Sequence, residues 1–210
     1  MFSFFKKGKP TVPFTDKVWK TREAAFKGLL MMGMMRLQKN QPCLIVAFFE
    51  SEMNSLQAFM QEHKMNFILL DSSAIINTIE PMIYLANATT ISDLTISKFL
   101  SESVKVFDGL VYFPGHYPLS NPENMTLEKL SSIGFTTFIF CLSFDDPLLK
   151  HFGSANILPI LERLGLEDQE SLEHNMITQS IKNAREKVAK KVEREIKCHS
   201  PEDWFSKNIK

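Results

Sequence analysis

Cys43-Leu44-Ile45-Val46-Ala47-Phe48-Phe49 is an unbroken apolar run of strand length, opened by Pro42 and closed by Glu50. Continuous rather than alternating apolarity predicts a strand covered on both faces. A helix should follow over 51–63, with Glu50 and Glu52 at its start, where acidic residues suit the helix dipole. Short apolar strands are expected at 66–70, 82–85, 110–113 (ended by Pro114-Gly115) and 135–142. Upstream, 20–38 reads as a helix capped by Thr21, with Phe26, Leu29, Leu30 and Met34 repeating at helical spacing. Further helices are expected at 93–103 and 124–132. Strands alternating with helices predict an α/β fold, a parallel sheet sandwiched by helical layers. No strand is expected after Asp145. Helices are expected at 147–152 and 156–164, then a long one over 172–198 with a narrow stripe of Ile177, Ile181, Ala184, Val188 and Val192. Pro201 should stop it, leaving Trp204 and Phe205 on a short tail.

A chain of 210 residues and 24.1 kDa fits one domain, or one domain with an appendage. Lys plus Arg number 24 and Asp plus Glu number 24, which disfavours a globally basic nucleic-acid binder. No apolar run approaches the roughly 20 residues that cross a bilayer. The opening, Met1-Phe2-Ser3-Phe4-Phe5-Lys6-Lys7, has apolar residues before basic ones, the reverse of a signal peptide. It reads as an arm over 1–15 that docks on its own domain, with a weak membrane-surface contact as the alternative. Cys43, Cys141 and Cys198 make neither a disulfide framework nor a zinc spacing, so a reducing cytoplasm is the expected home.

The eight glycines are too dispersed to form a phosphate-cradling loop, and Gly8-Lys9 runs into Pro10, so there is no P-loop. Asp146 and His151 have a spacing that a metal or base would use, but no third ligand accompanies them. The plainer expectation is a surface histidine and an Asp145-Asp146 helix cap. Cys141 should be a buried small hydrophobe. The Met31-Met32-Gly33-Met34-Met35 cluster reads first as core filler and second as a soft binding surface. Residues 176–197 hold seven Lys or Arg against three Glu, a basic helical face suited to an acidic partner. Lys182, Arg185, Lys190 and Arg194 are the candidate partner contacts.

Several segments, in order, resemble the second nucleotide-binding domain of SecA, the bacterial preprotein translocase ATPase. Asp16-Lys17-Val18-Trp19-Lys20-Thr21, with Phe26 beyond it, is similar to the family's D-x-V-Y-K-T-x-x-x-K-F. Gln41-Pro42-Cys43-Leu44-Ile45-Val46 and Glu50-Ser51-Glu52 resemble its G-Q-P-V-L-V strand and E-K-S-E helix. Leu142-Ser143-Phe144-Asp145-Asp146-Pro147-Leu148-Leu149-Lys150-His151-Phe152-Gly153-Ser154 resembles L-S-L-E-D-D-L-M-R-I-F-G-S. Leu172-Glu173-His174-Asn175-Met176-Ile177-Thr178-Gln179-Ser180-Ile181-Lys182-Asn183-Ala184 resembles I-E-H-x-x-V-T-R-S-I-E-N-A. The matches fall within roughly 9–62 and 135–190.

The resemblance implies a RecA-like domain over 16–166 and, over 167–210, the beginning of a long scaffold-type helix and a tail. It also implies losses. The family's N-M-A-G-R-G-T-D loop corresponds to Asn87-Ala88-Thr89-Thr90-Ile91-Ser92-Asp93, without its glycines or arginine. The family's arginine-rich segment corresponds to 125–135, where Lys129 is the only cation, and no arginine lies between Arg36 and Arg163. An arginine finger is worth about three to five orders of magnitude in phosphoryl transfer. The expectation is therefore a degenerate domain that is not an enzyme, with no catalytic residues, metal or cofactor, and with Asn87, Asp93 and Lys129 as vestiges of a nucleotide site. It would act by protein contact with a SecA or another export component, as an accessory or regulator of translocation. The alternatives are an ATPase half-site completed in trans and nucleic-acid binding through the basic helix. No nucleic acid and no stable membrane insertion are otherwise expected.

Overall fold

The computed structural model of the protein describes residues 12–71, 79–152 and 169–209. The strands are β1 (Thr15–Trp19), β2 (Cys43–Ala47), β3 (Phe67–Leu70), β4 (Ile83–Asn87), β5 (Leu110–Phe113) and β6 (Thr137–Ser143). The helices are α1 (Arg22–Gln38), α2 (Glu50–Glu62), α3 (Leu94–Ser103), α4 (Ser120–Ser132), α5 (Pro147–Phe152), α6 (Asn175–Lys191) and α7 (Pro201–Asn208). The six strands form one parallel sheet in the order β1-β6-β5-β2-β4-β3. This is the α/β, RecA-like architecture: a parallel sheet with helices on both faces.

The apolar run at Cys43–Ala47 explains itself in this setting. Leu44 and Val46 face a core shared with α3, α4 and α6, while Cys43, Ile45 and Ala47 face α1 and α2. All five residues of β2 are fully buried. Burial of that kind is worth about 1.5–3 kcal/mol for each large aliphatic side chain.

Three features differ from the sequence expectation. β1 is a strand that no apolar run announces. It pairs with β6 from Thr15↔Ile139 to Trp19↔Ser143, and its outer edge is partly closed by a bridge between Val18 and Leu172. Among the described residues no strand follows Asp145 other than β6 itself ending at Ser143, as the sequence predicts, and Leu172 adds this single bridge. Part of the 1–15 arm is bound to the body, since Val12 and Phe14 pack on the core; residues 1–11 lie outside the described residues, as does the helix expected at 156–164.

The long terminal helix is also corrected. α6 ends at Lys191, and Val192 is extended. The chain folds back because the sequence beyond has its own helix signal and its own apolar anchors. Ser200 accepts from Asp203 N, Pro201 starts α7, and Trp204 and Phe205 are buried. His199 O accepts from Ser51 N, joining the tail to the start of α2. The Met cluster is the third correction: Met31, Met34 and Met35 are exposed rather than core-filling.

Gly28 sits where α1 crosses β1. A Cβ there would lie 2.3 Å from Trp19 Cζ2, and Trp19 is held by burial and by donation from Nε1 to Gln169 O. Alanine gains about 1 kcal/mol of helix propensity, but overpacking costs about 1–3 kcal/mol. Gly28→Ala should lower denaturant-measured stability, whereas Gly33→Ala, whose nearest contacts are 3.4 Å, should be neutral or stabilising.

Candidate functional site

Open α/β sheets bind ligands beyond the carboxyl ends of their strands, where neighbouring strands lead off in opposite directions. Here β2 leads toward β3 on one side and β5 toward β6 on the other. A cavity of about 740 Å³ opens at this place. Phe48 follows β2, Thr89 follows β4, Tyr117 follows β5, and Lys129 projects from α4. Glu195 and Lys197, from the segment between α6 and α7, close another side. Tyr117 Oη donates to Glu195, and Trp204 Nε1 donates to the same carboxylate at 2.8 Å. Burial, followed by that carboxylate, raises the Tyr117 hydroxyl above its ordinary range. The folded-back tail is thus part of the cavity.

Of the three positions expected from the sequence to be vestiges of a nucleotide site, Lys129 borders the cavity and Asn87 and Asp93 do not. Asn87 Oδ1 accepts from Thr89 N and Oγ1 at 3.1 and 2.9 Å. Asp93 Oδ1 accepts from Thr95 N and Ile96 N, capping α3. Both side chains are thus engaged in shaping the loop between β4 and α3.

Behind the cavity lies a buried ionic network that sequence reading missed. His116 Nδ1 meets Glu123 Oε2 at 2.8 Å and His116 Nε2 meets Asp16 Oδ1 at 3.0 Å. Arg185 Nη1 donates to Glu123 Oε1 at 2.7 Å, and Tyr117 N donates to Glu123 Oε2. Burial opposes charge on His116, but the Glu123 charge and the hydrogen bonds to Asp16 and Glu123 outweigh it and raise its pKa to about 9. Burial likewise opposes charge on Glu123, yet His116 and Arg185 hold it below the usual carboxylate range. Asp16 and His116 are 100 positions apart, so no local pattern could pair them.

This network corrects the placement of Arg185. It belongs with Glu123 and is buried, whereas Lys182 and Lys190 on the same helix are exposed. The stripe positions Ile177, Ile181, Ala184 and Val188 are buried as their spacing predicts, and Arg185 follows them inward. Arg194 is exposed but lies past the end of the helix.

A second cluster surrounds Arg22. Its guanidinium lies 3.8 Å from Glu52 and 3.9 Å from Asp146. Burial pushes Glu52 up to about 7 and Asp146 up to about 6, with Arg22 acting in the opposite direction. Asp146 accepts from Ser143 N and Oγ, and Asp145 accepts from Arg22 N. The carboxylates expected to cap α5 are therefore committed to neighbouring backbone instead. His151 stacks on Phe205 with centroids 5.3 Å apart, far from a metal-ligand role with Asp146. Among the described residues no group of three His, Cys, Asp or Glu is placed to hold a metal. Burial pushes the Cys43 thiol up to about 12 and that of Cys141 higher still.

The fold is that of a RecA-like domain, with a large cavity at the carboxyl edge of the sheet. Comparison with known proteins gives the nearer likeness: the chain is similar to SecA. It is 27% identical over 184 residues to the protein translocase subunit SecA of Halothermothrix orenii, covering 82% of this chain and 21% of that protein. It is 26% identical over 186 residues to SecA of Campylobacter hominis, covering 82% and 20%. A 49-residue stretch is 47% identical to SecA 1 of Alkaliphilus metalliredigens, covering 23% of this chain and 6% of that protein. The chain thus spans about a fifth of the length of the relatives it matches most broadly. No family model matches. Among solved structures, the C-terminal domain of a possible DNA helicase from Lactobacillus has a TM-score of 0.42 at 12% identity, over 63% of this chain and 73% of that one. The C-terminal part of the Fun30 ATPase domain has a TM-score of 0.41 at 14% identity, over 79% and 54%.

These likenesses correct one expectation drawn from the sequence, that the chain is not an enzyme. Its relatives are SecA proteins, which are enzymes. Motifs missing from a chain one fifth of their length are no ground for denying it activity. Among the described residues no helix is long and apolar enough to cross a membrane.

The network makes stability depend on pH with a defined sign. The folded pKa of His116, about 9, exceeds its ordinary 6.5. Its contribution is therefore complete below about 6.5 and is lost as pH rises through about 9, roughly 3 kcal/mol in all. Urea unfolding from pH 6 to 10 should show this fall, and His116→Asn should flatten it. Arg185→Ala removes one of the two cations that hold buried Glu123, leaving His116 alone, and should cost about 3 kcal/mol in urea unfolding.

Proposed function

We propose that this chain is a SecA-like domain that serves preprotein translocation in the cytoplasm by docking on a SecA or another export component. The division into an arm over 1–15, a RecA-like body over 16–166 and a scaffold-type segment over 167–210 belongs to the same proposal. The observation that carries it is the arrangement of α6. Its apolar stripe and Arg185 are committed to the body, which leaves Lys182 and Lys190 on the outer face, with Arg194 just beyond, for an acidic partner. Similarity to SecA over 82% of the chain supplies the kind of machinery. Charges on such a rim speed association and make it salt-sensitive. Sedimentation of the full chain with purified SecA should detect a complex that weakens in salt and weakens several-fold for the Lys182→Glu/Lys190→Glu double variant. A complex indifferent to both, or no complex with SecA or its channel, would sink the reading.

A second reading has its own observation. Lys129 borders the large cavity at the carboxyl edge of the sheet, where a nucleotide shared with a partner's P-loop would lie. This is an ATPase half-site completed in trans. Magnesium with ATP or ADP should then raise thermal stability, by about 2.7 kcal/mol at a hundredfold excess over the dissociation constant. Lys129→Ala should remove the effect. Absence of any shift, alone and with SecA present, would discard it.

A further inference from the structure

A separate cavity of about 260 Å³ lies where the start of β1, the first turn of α4 and the middle of α6 meet. Asp16, Ser120, Asn124, Thr178, Lys182 and Arg185 border it. Three buried polar atoms on these residues have no hydrogen-bond partner: Arg185 Nε, Arg185 Nη2 and Asp16 Oδ2. Each buried group left unmet costs about 1–3 kcal/mol, and charged groups cost more. Three of them beside one cavity point to a missing partner.

The chemistry of that partner follows from the unmet atoms. Arg185 uses Nη1 on Glu123. Its remaining edge, Nε with Nη2, is the planar fork that grips two oxygens of one oxyanion. α4 starts at Ser120 on the cavity wall with no side-chain cap, so its first backbone N–H groups add positive potential there. Lys182 adds a cation at the exposed rim, next to Glu186. Asp16 Oδ2 imposes the opposite demand, because a carboxylate oxygen accepts a hydrogen and repels a bare anion. Asp16 and Glu123 carry two negative charges, and Arg185 with protonated His116 carries two positive ones. The buried set therefore does not oppose an anion. Asn124 and Thr178 supply further polar groups.

We propose that this cavity binds an oxyanion that keeps its own O–H, of the hydrogen phosphate class. Arg185 and the start of α4 take its oxygens, and its hydroxyl donates to Asp16. Sulfate has the same shape but no hydrogen at neutral pH, so Asp16 selects against it. A phosphate monoester loses its last O–H near pH 6, so it binds more weakly than inorganic phosphate above that pH. This site is distinct from the carboxyl-edge cavity and does not depend on the function proposed above.

The test is calorimetry of the full chain with sodium phosphate, methyl phosphate, sulfate and chloride at pH 7 and fixed ionic strength. Phosphate should bind and raise the unfolding midpoint, and sulfate should do no more than chloride. Lys182→Glu, at an exposed position, should weaken phosphate binding about tenfold without moving the midpoint of the unliganded protein. Asp16→Asn should reduce the preference for phosphate over sulfate at least fivefold. If that variant does not fold, Lys182→Glu decides alone. Equal shifts from phosphate and sulfate would mean a general stabilising-salt effect and would overturn the proposal. So would an unchanged phosphate response in Lys182→Glu, or methyl phosphate binding more tightly than phosphate.

Discussion

His116 sits between two carboxylates, Asp16 and Glu123, with Arg185 on the far side of Glu123, and the arrangement of the other elements hangs on this buried set. Removing an ion from water costs several kcal/mol even after relaxation, and only close, well-oriented partners offset it. Here the partners come from β1, the loop after β5, α4 and α6. None of these elements can shift without stranding a buried charge. Hydrophobic burial alone tolerates sliding, because apolar contact has no direction. The network gives the outer strand and the basic helix one register against the sheet. Phe140 stacks on the His116 ring with centroids 4.0 Å apart, and Phe14 meets it edge-on at 5.4 Å. Those aromatic walls keep water out and raise the cost of any misplacement.

The tail has a comparable effect beside it, at the carboxyl edge of the sheet. Where α6 ends, the chain turns back and buries Trp204 and Phe205 beside Tyr117 and His151. Glu195 receives both the Tyr117 hydroxyl and the Trp204 indole. Asn208 holds the turn by accepting from Ile196 N and donating to Ile196 O. The carboxyl-edge cavity is consequently walled partly by the segment that follows α6. Access to it is coupled to how firmly that segment stays docked.

The central strands and most helices were legible in the sequence because their signals are local. β5 was expected at 110–113 and is found at Leu110–Phe113, and α5 was expected at 147–152 and is found at Pro147–Phe152. Thr21 caps α1 by accepting from Ala24 N, as its position before the apolar repeat requires. β1 was not legible. Thr15–Trp19 is short and carries Asp16 and Lys17, and it becomes a strand only because β6 and Leu172 lie beside it. The overextended terminal helix has the same origin: residues 192–198 suit a helix locally, but burying Trp204 and Phe205 requires a turn.

What the sequence determined by itself was the α/β layering, the doubly covered central strand, the apolar stripe of α6 and the likeness to SecA. Each is carried by residues close together in the chain or by their linear order. Only the tertiary structure decided which polar residues meet. It turned Arg185 inward to Glu123, engaged Asn87 and Asp93 in loop and cap, left Lys129 facing the cavity, and brought Asp16 to His116 across 100 positions. The reason is physical. Apolar burial follows the period of the local element, whereas a buried charge must find its partner wherever the fold brings one.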